Sequence, residues 1–471
     1  MFAVFSCKRD DPVSEPVADE VPESLALEAD AFSVSGSGET VSLTVNSPTR
    51  PKVSGVPDWI GFRDGTFNHY KITYTFTIRA NPTREPRQAA IVVSAEGFDS
   101  QTVTFSQEAG EQEPEQPDQP APDPPAPGIA EDGWENAAAA VINMRTGWNL
   151  GNTLDTWGSW LDGQGIDRFE TGWGQPLTRP ELMQMFADAG FGAVRVPVTW
   201  RQHMDADGKV DKEWMDRVEE VVNYVLDTGM YCILNVHHDT GAEGWLRADK
   251  AVYNNTKDRF ITLWEQIAVR FKDYGPKLLF ESFNEMLDAG NNWNEPKAAS
   301  SYTYIDNYNQ DFVNTVRATG ENNARRNLVI NDYCASSVSR AFSAMTIPED
   351  IASGHIIAEF HSYSPYMFAM YEGDGATTTW TVTCEKEVRT QIETLAGIAW
   401  SKGVPFIIGE YGSTSARSEA EIAKQCRCYV ETCKEFNAAC FCWMLLSDGA
   451  DRSVPKWTRP IIKDAIINAS R

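Results

Sequence analysis

Nowhere in the 471 residues do eighteen apolar residues run together, so no segment has the length and character of a membrane-crossing helix. Positive charge is scarce: 41 lysines and arginines stand against 67 aspartates and glutamates, a formal net charge of -26. Such a chain is repelled by nucleic acid and by anionic membrane surfaces, which argues against both as partners and leaves neutral ligands open. Metal-binding spacing is missing as well. Cys426-x-Cys428 and Cys433 fall on an expected helix and Cys440-x-Cys442 on an expected strand, without partnering histidines, so no metal site is expected of them. The thiols read as buried, with a Cys428–Cys433 bridge open if the protein is exported. No glycine-rich dinucleotide loop follows the first strand of the larger region, which argues against a doubly wound open sheet.

What is present is a long chain, 42% hydrophobic, with fifteen Trp and fifteen Tyr. That is enough for a large core and more than one domain. Most of the aromatics read as core, although so many would also suit a sugar polymer whose ring faces stack on them. Residues 1–23 read as a signal remnant and disordered tether. From 24 to 109 the hydrophobic period is two: Val41, Leu43 and Val45 alternate with polar residues, as do Ile72, Tyr74, Phe76 and Ile78, and Val103 and Phe105 close the block. One-sided strands of this kind predict an all-β, immunoglobulin-like sandwich. Residues 110–130 are rich in Glu, Gln, Asp, Ala and Pro, a composition that builds no core and favours an extended linker.

From 131 to 471 strands and helices alternate. Thr178-x-x-Glu181 and Ser418-x-x-Glu421 read as capping boxes, and Trp214, Val218, Val221, Val222 and Val225 form one apolar helical face behind an Asp211 cap. Eight candidate strands lie at about 147–153, 193–199, 230–236, 278–284, 327–332, 355–361, 404–410 and 438–445. Eight strand–helix repeats predict a (β/α)8 TIM barrel with its site where the strands end. Two of those strands finish on a glutamate, Glu285 and Glu410. Strand ends hold two carboxyl groups at a fixed separation, which is what an acid and nucleophile pair needs.

The strand ends carry Asn152 and Asp155, Arg195, His237 and His238, Asn284 and Glu285, His361 and Tyr363, Glu410, and Trp443. Gly147-Trp-Asn-Leu-Gly-Asn-Thr-Leu-Asp155, Val194-Arg-Val-Pro-Val198, Val236-His-His238, Phe283-Asn-Glu285, His361-Ser-Tyr363 and Ile408-Gly-Glu410 together resemble glycoside hydrolase family 5, with subfamily 4 as the nearest likeness. The resemblance runs from about Trp134 to the end. It implies that Glu285 is the general acid and base and Glu410 the nucleophile of a double displacement. It further implies that Arg195 holds Glu410 ionised, that Asn284 donates to the sugar 2-hydroxyl, and that His361 and Tyr363 orient the carboxylates. His237 and His238 are expected to line the cleaved-sugar subsite with Trp443 beneath the ring, and Asn152 joins the substrate-binding set. Trp157, Trp173, Trp200, Trp245 and Trp293 are candidate outer platforms. Met444-Leu-Leu-Ser447 intervenes before Asp448, a departure from the family pattern that leaves the latter without a clear role.

Upstream, Asp58-Trp-Ile, Asn81-Pro-Thr-Arg-Glu, Ala90-Ile-Val-Val and Val103-Thr-Phe-Ser-Gln107 resemble the BACON domain found ahead of secreted carbohydrate enzymes. Val4, Ser6 and Cys7, followed by Lys8-Arg-Asp-Asp11, resemble the lipobox and charged signal of surface lipoproteins; an ordinary disordered N-terminus is the other reading. The resulting expectation is a secreted or cell-surface, lipid-tethered retaining endo-β-1,4-glucanase, monomeric and without cofactor, that takes a polysaccharide substrate such as cellulose-like, mixed-linkage or xyloglucan chains. A mannanase or xylanase of the same family, and a non-catalytic glycan-binding protein, are the alternatives.

Overall fold

The computed structural model describes residues 21–36, 38–57, 59–79, 81, 85–110, 122–131, 133–443 and 449–471. The lipobox reading at Val4, Ser6 and Cys7, Asp58, most of the Asn81-Pro-Thr-Arg motif, the centre of the linker and Met444 to Asp448 lie outside the described residues. The chain forms two compact units, Met1–Gln119 and Pro120–Arg471.

In the first unit β1 (Ala26–Leu27), β3 (Glu39–Asn46), β6 (Lys71–Ile78) and β5 (Ile60–Arg63) make one four-stranded sheet, in the order β1-β3-β6-β5. A second sheet has the order β2-β8-β7-β4, from β2 (Ala31–Val34), β8 (Gln101–Gln107), β7 (Arg87–Ser94) and β4 (Lys52–Ser54). Alternation decides the faces: Ile72, Tyr74, Phe76 and Ile78 of β6 are all buried, since every second residue points to the same side. Phe76 meets Phe105 of the other sheet with ring centroids 5.0 Å apart, so the two sheets share one core. Trp59 is covered by the Arg87 guanidinium, 4.3 Å from its ring, rather than offered as a bare aromatic face.

The second unit contains a closed barrel of eight parallel strands. They are β9 (Thr146–Asn149), β10 (Ala193–Val196), β11 (Tyr231–Asn235), β12 (Leu278–Glu281), β13 (Leu328–Asn331), β14 (Ile356–Ser362), β15 (Phe406–Tyr411) and β16 (Ala439–Cys442). All eight coincide with the expected runs, but four of them, β9, β10, β12 and β16, stop three or four residues earlier. At β10 the reason is Pro197, which has no amide hydrogen to continue the ladder. Beyond β12 the chain leaves the ladder yet stays anchored, with Ser282 N donating to Val329 O and Asn284 N to Val236 O. Glu285 is thereby fixed just above the barrel.

The barrel interior changes character along its axis. Ala193, Tyr231, Ile233, Leu279, Val329, Ile357, Ile407, Ala439 and Phe441 fill the lower part. One step higher the inward positions are Asn149, Arg195, Asn235, Glu281, Asn331 and Glu359, all buried. Period two places these residues on the same inward face as the apolar layer, and the strand ends complete a polar floor under the site.

Among the surrounding helices, Lys212–Leu226 buries Trp214, Val218, Val221, Val222 and Val225 against the barrel, each worth about 1.5–3 kcal/mol of transfer free energy. Asp211 is its N-cap by backbone geometry, but its side chain makes no capping bond. Ser418 does cap Glu419–Glu435, accepting from Glu421 N. The other expected capping box does not form: Pro180–Ala189 begins after Arg179 with Pro180 in its first turn, and Thr178 instead donates its N–H to Glu170. A proline is preorganised for a helical start, and it sets the boundary here. Cys428 and Cys433 are unbridged, and the eight described cysteines are free and buried. No described helix is long and apolar enough to cross a membrane.

Candidate active site

Arg195 is the centre from which the site is built. Its Nε and Nη2 donate to Glu281 at 2.6 and 2.8 Å, Nη1 to Asn149 at 3.0 Å and to Glu410 at 2.8 Å, and Nη2 also to Asn284 Oδ1 at 2.9 Å. All five N–H groups of the guanidinium are thus committed. Burial opposes its charge, but Glu281, Glu359 and Glu410 more than compensate and keep it charged.

Glu410 ends its strand beside this fork. Tyr363 Oη donates to its other oxygen at 2.7 Å. Burial pushes the Glu410 carboxyl up, yet the charges of His361 and Arg195 and the bonds from Tyr363 and Arg195 outweigh it and hold the group below its ordinary range. Burial and the neighbouring Glu410 push the Tyr363 phenol well up, so it remains a donor.

His361 stands between the two glutamates. Its Nδ1 is 2.9 Å from Glu285 Oε1 and 3.6 Å from Glu410 Oε2. Burial lowers its pKa, but Glu410, Glu285 and Glu359 raise it further, to about 10; the ring is an imidazolium at neutral pH. One oxygen of Glu285 and one of Glu410 lie within 4.8 Å of each other. Retaining glycosidases need carboxyl groups roughly 5–5.5 Å apart, inverting ones about 6.5–9.5 Å. The Glu285 side chain is 23% exposed and that of Glu410 7%, so Glu285 is the one open to an incoming water.

Asn284 and His237 receive their orientation from the same network. Because Asn284 Oδ1 accepts from Arg195, its NH2 group is left to donate. Asn235 Nδ2 donates to Glu281 at 2.9 Å and reaches His237 Nδ1 at 3.1 Å, while Asn235 Oδ1 accepts from Val198 N. His237 Nδ1 must therefore be the acceptor and Nε2 carries the proton. Burial, then the charges of His238, Arg195 and His361, push the His237 pKa well down, keeping that ring neutral. Trp443 lies parallel to it, with centroids 5.6 Å apart at 4°. Gly151 makes this possible: a Cβ there would come within 2.6 Å of the indole.

His238 continues the wall, 4.5 Å from His237 by ring centroids, with Nε2 3.7 Å from Asp155 Oδ2. Trp173 and Trp157 flank it at 5.4 and 6.5 Å. Of the other expected platforms, Trp293 is exposed, whereas Trp200 is buried with its indole N–H on Asn235 O, and Trp245 donates to the buried Asp239. Those two are structural. Asn152 sits half-buried in a left-handed turn (φ 61°) and makes no hydrogen bond to the cluster among the described residues; Asn149, three residues earlier at the end of β9, bonds Arg195. Asn149, Asn235, Glu281, Asn331 and Glu359 are not singled out by the sequence because they lie before the expected strand ends; the first four close strands that stop earlier than expected.

Two sets of side chains have metal-like proximity, Glu285 with His361 and Glu410, and Asp155 with His237 and His238. In the first set His361 Nδ1 is already paired with Glu285, and in the second His237 Nδ1 is taken by Asn235 Nδ2.

A family model described as cellulase (glycosyl hydrolase family 5) matches residues 155–449. The chain belongs to glycoside hydrolase family 5. Among family 5 relatives, it is 33% identical to Endoglucanase A of Clostridium longisporum over 70% of this chain and 65% of that protein. It is 31% identical to the xyloglucan-specific endo-beta-1,4-glucanase BoGH5A of Bacteroides ovatus over 81% of this chain and 76% of that one. It spans only 36% of the cellulase/esterase CelE of Acetivibrio thermocellus. The structure of the family 5 enzyme PbGH5A from Prevotella bryantii B14, a mutant of which is in complex with a xyloglucan tetradecasaccharide, aligns with a TM-score of 0.67 at 41% identity, covering 72% of this chain and 99% of that one.

Proposed function

We propose that the chain is a retaining endo-β-1,4-glucanase that cleaves cellulose-like, mixed-linkage or xyloglucan chains by double displacement. The observation that carries this reading is the placement of Glu285 and Glu410, oxygens within 4.8 Å, with His361 between them. Glu410, ionised on Arg195 and Tyr363, attacks the anomeric carbon, while Glu285 gives its proton to the departing glycosidic oxygen. In the second half Glu285 takes a proton from water, which cleaves the glycosyl ester and returns Glu410 as a carboxylate. The Asn284 amide donates to the 2-hydroxyl, a contact that strengthens with oxocarbenium character. His237 and His238 line the same subsite, and Trp443 offers its face to the sugar ring.

The named relatives support glucan over other polymers: one is a xyloglucan-specific endo-beta-1,4-glucanase and another an endoglucanase. A pure glycan-binding protein has no need of an ionised nucleophile facing a second carboxyl group. We assign the two-sheet unit as an immunoglobulin-like, BACON-type module acting as a spacer, and Cys7 as the acceptor of a lipid anchor on an exported, monomeric enzyme. The test is reducing-sugar release from barley glucan, xyloglucan, carboxymethylcellulose, mannan and xylan by the wild type and Glu410→Gln. Release from the glucans that vanishes in the variant is expected. Activity on mannan or xylan alone overturns the substrate, and an active variant overturns the mechanism.

A further inference from the structure

Under the catalytic pair lies a carboxyl group that the mechanism does not use. Glu359 points inward from β14, two residues before His361, and is fully buried. Its Oε1 is 3.5 Å from Arg195 Nε and 3.4 Å from His361 Nε2. Arg195 has no donor left for it, since all five are engaged elsewhere. Neither Glu359 oxygen has a well-aligned hydrogen bond, and the facing His361 Nε2 lacks one too. Of the two cationic side chains that reach Glu359 Oε1, His361 is therefore the one with an N–H not given to another group.

Space for this pairing is made by the neighbouring strand. Gly409 directly precedes Glu410, and a Cβ on it would lie 1.5 Å from Glu359 Oε1. The β14–β15 register shifts at the same level, between Phe360 and His361. The strand that carries the nucleophile is thus shaped around the Glu359 carboxyl.

Double displacement moves negative charge. It starts on Glu410, is consumed when the glycosyl–Glu410 bond forms, and reappears on Glu285 as its proton leaves with the aglycone oxygen. His361 Nδ1 reaches both groups, so one N–H can serve both ends of the transfer if the ring is held still and kept charged. We propose that Glu359 is a positioning residue that grips the Nε2 edge of His361, keeping the imidazolium aimed at the gap between Glu285 and Glu410 throughout the cycle. The proposal rests on the double-displacement reading above. Other charged or titratable groups around Glu359 are Arg195 from β10, Glu281 from β12, Asp332 after β13 and Glu410 from β15. Burial pushes Asp332 well up, and it accepts from Ser336 N, while Glu281 is tied to Arg195. Burial and the nearby Glu281 raise Glu359 to about 7 against the pull of Arg195 and His361, so its charge matters most where His361 alone answers it.

The test uses the full chain with Glu359→Gln, which keeps the shape but removes the charge. On a soluble β-glucan we expect kcat to fall about tenfold or more with KM within about twofold, a pattern expected of an interaction made in the transition state. The basic limb of the kcat/KM profile should move at least one unit to lower pH, and 15N NMR of the His361 ring should show its proton lost correspondingly earlier. A folded variant with the wild-type profile and wild-type His361 titration overturns the proposal. Should the glutamine variant fail to fold, Glu359→Asp withdraws the charge by one methylene and should shift the same limb by less; an unmoved limb overturns the proposal equally. Wild-type activity is read in the same assay. Its absence would fail the glucanase reading, whereas an active wild type with an unaffected variant fails this inference alone.

Discussion

At the scale of single residues, the site is a charge arrangement with one permanent cation at its base. Arg195 is indispensable because five donors meet five acceptors, and lysine has three donors on one rotatable nitrogen. Arg195→Lys should leave at least two of those acceptors unanswered. Bonds to charged groups are worth about 1.5–3 kcal/mol each, so the variant should show a clear loss of urea stability and a kcat/KM lower by about two orders of magnitude. Near-wild-type kcat/KM would mean that Glu410 keeps its charge by other means. His361 makes a second prediction. Its proton stays bound in the folded protein to about pH 10 but leaves the unfolded chain near 6.5. Its contribution to stability is therefore complete below pH 6.5 and is lost as pH rises toward 10. The gap in urea midpoint between the wild type and His361→Gln should shrink between pH 6.5 and 9.5; a constant gap would show that the ring is not charged. Glu410 acts in the opposite sense, since its lowered pKa gives stability that is present above about 4.5 and lost on acidification.

At the scale of elements, the barrel divides into a lower half that packs and an upper half that reacts, and glycine serves both. Gly147 on β9 leaves room for Phe441, whose ring a Cβ would meet at 2.2 Å; Gly409 on β15 leaves room for Glu359. Overpacking costs typically about 1–3 kcal/mol, so Gly147→Ala and Gly409→Ala should both lower the unfolding midpoint. Only Gly409→Ala should also depress kcat at a temperature where both are folded, because it alone displaces a group beneath His361. Equal kcat losses would break this division. The same division explains what could be read beforehand. The strands were legible because each is a short apolar run ended by polar residues; Glu285, Glu410, His361 and Tyr363 were legible because they stand where those runs stop, and Arg195, inside its run, through the Val194-Arg-Val-Pro motif. Asn149, Glu281 and Glu359 lie two to four positions before the ends of the expected runs, where a polar residue looks like an interruption until closure of the barrel brings all three around Arg195. Asn152 falls within the expected run 147–153, but β9 ends at Asn149 and Leu150 and Gly151 carry the chain into a turn before it. Trp200 and Trp245 looked like platforms by loop position, and only their bonds to Asn235 O and Asp239 reveal them as supports.

At the scale of the molecule, the described residues of the two-sheet unit share one hydrophobic core between the sheets, while those of the barrel unit form their own, between barrel and helices and inside the barrel. Every residue of the catalytic network, from Asn149 to Trp443, belongs to the unit Pro120–Arg471. Each unit has its own buried residues and its own ladder of hydrogen bonds, the conditions under which a domain folds by itself. Removing residues 1–119 should therefore leave a folded barrel whose kcat/KM on a soluble β-glucan stays within about twofold of the full chain. The full chain should unfold in two calorimetric steps where the barrel alone gives one, because two independent cores have no common cooperative unit. Soluble chains are the proper substrate for this comparison, since a spacer alters access to a solid surface but not the chemistry of a dissolved chain. A truncated barrel that is folded yet inactive on soluble glucan would mean that the two-sheet unit contributes to the site, and its assignment as a spacer would have to be withdrawn.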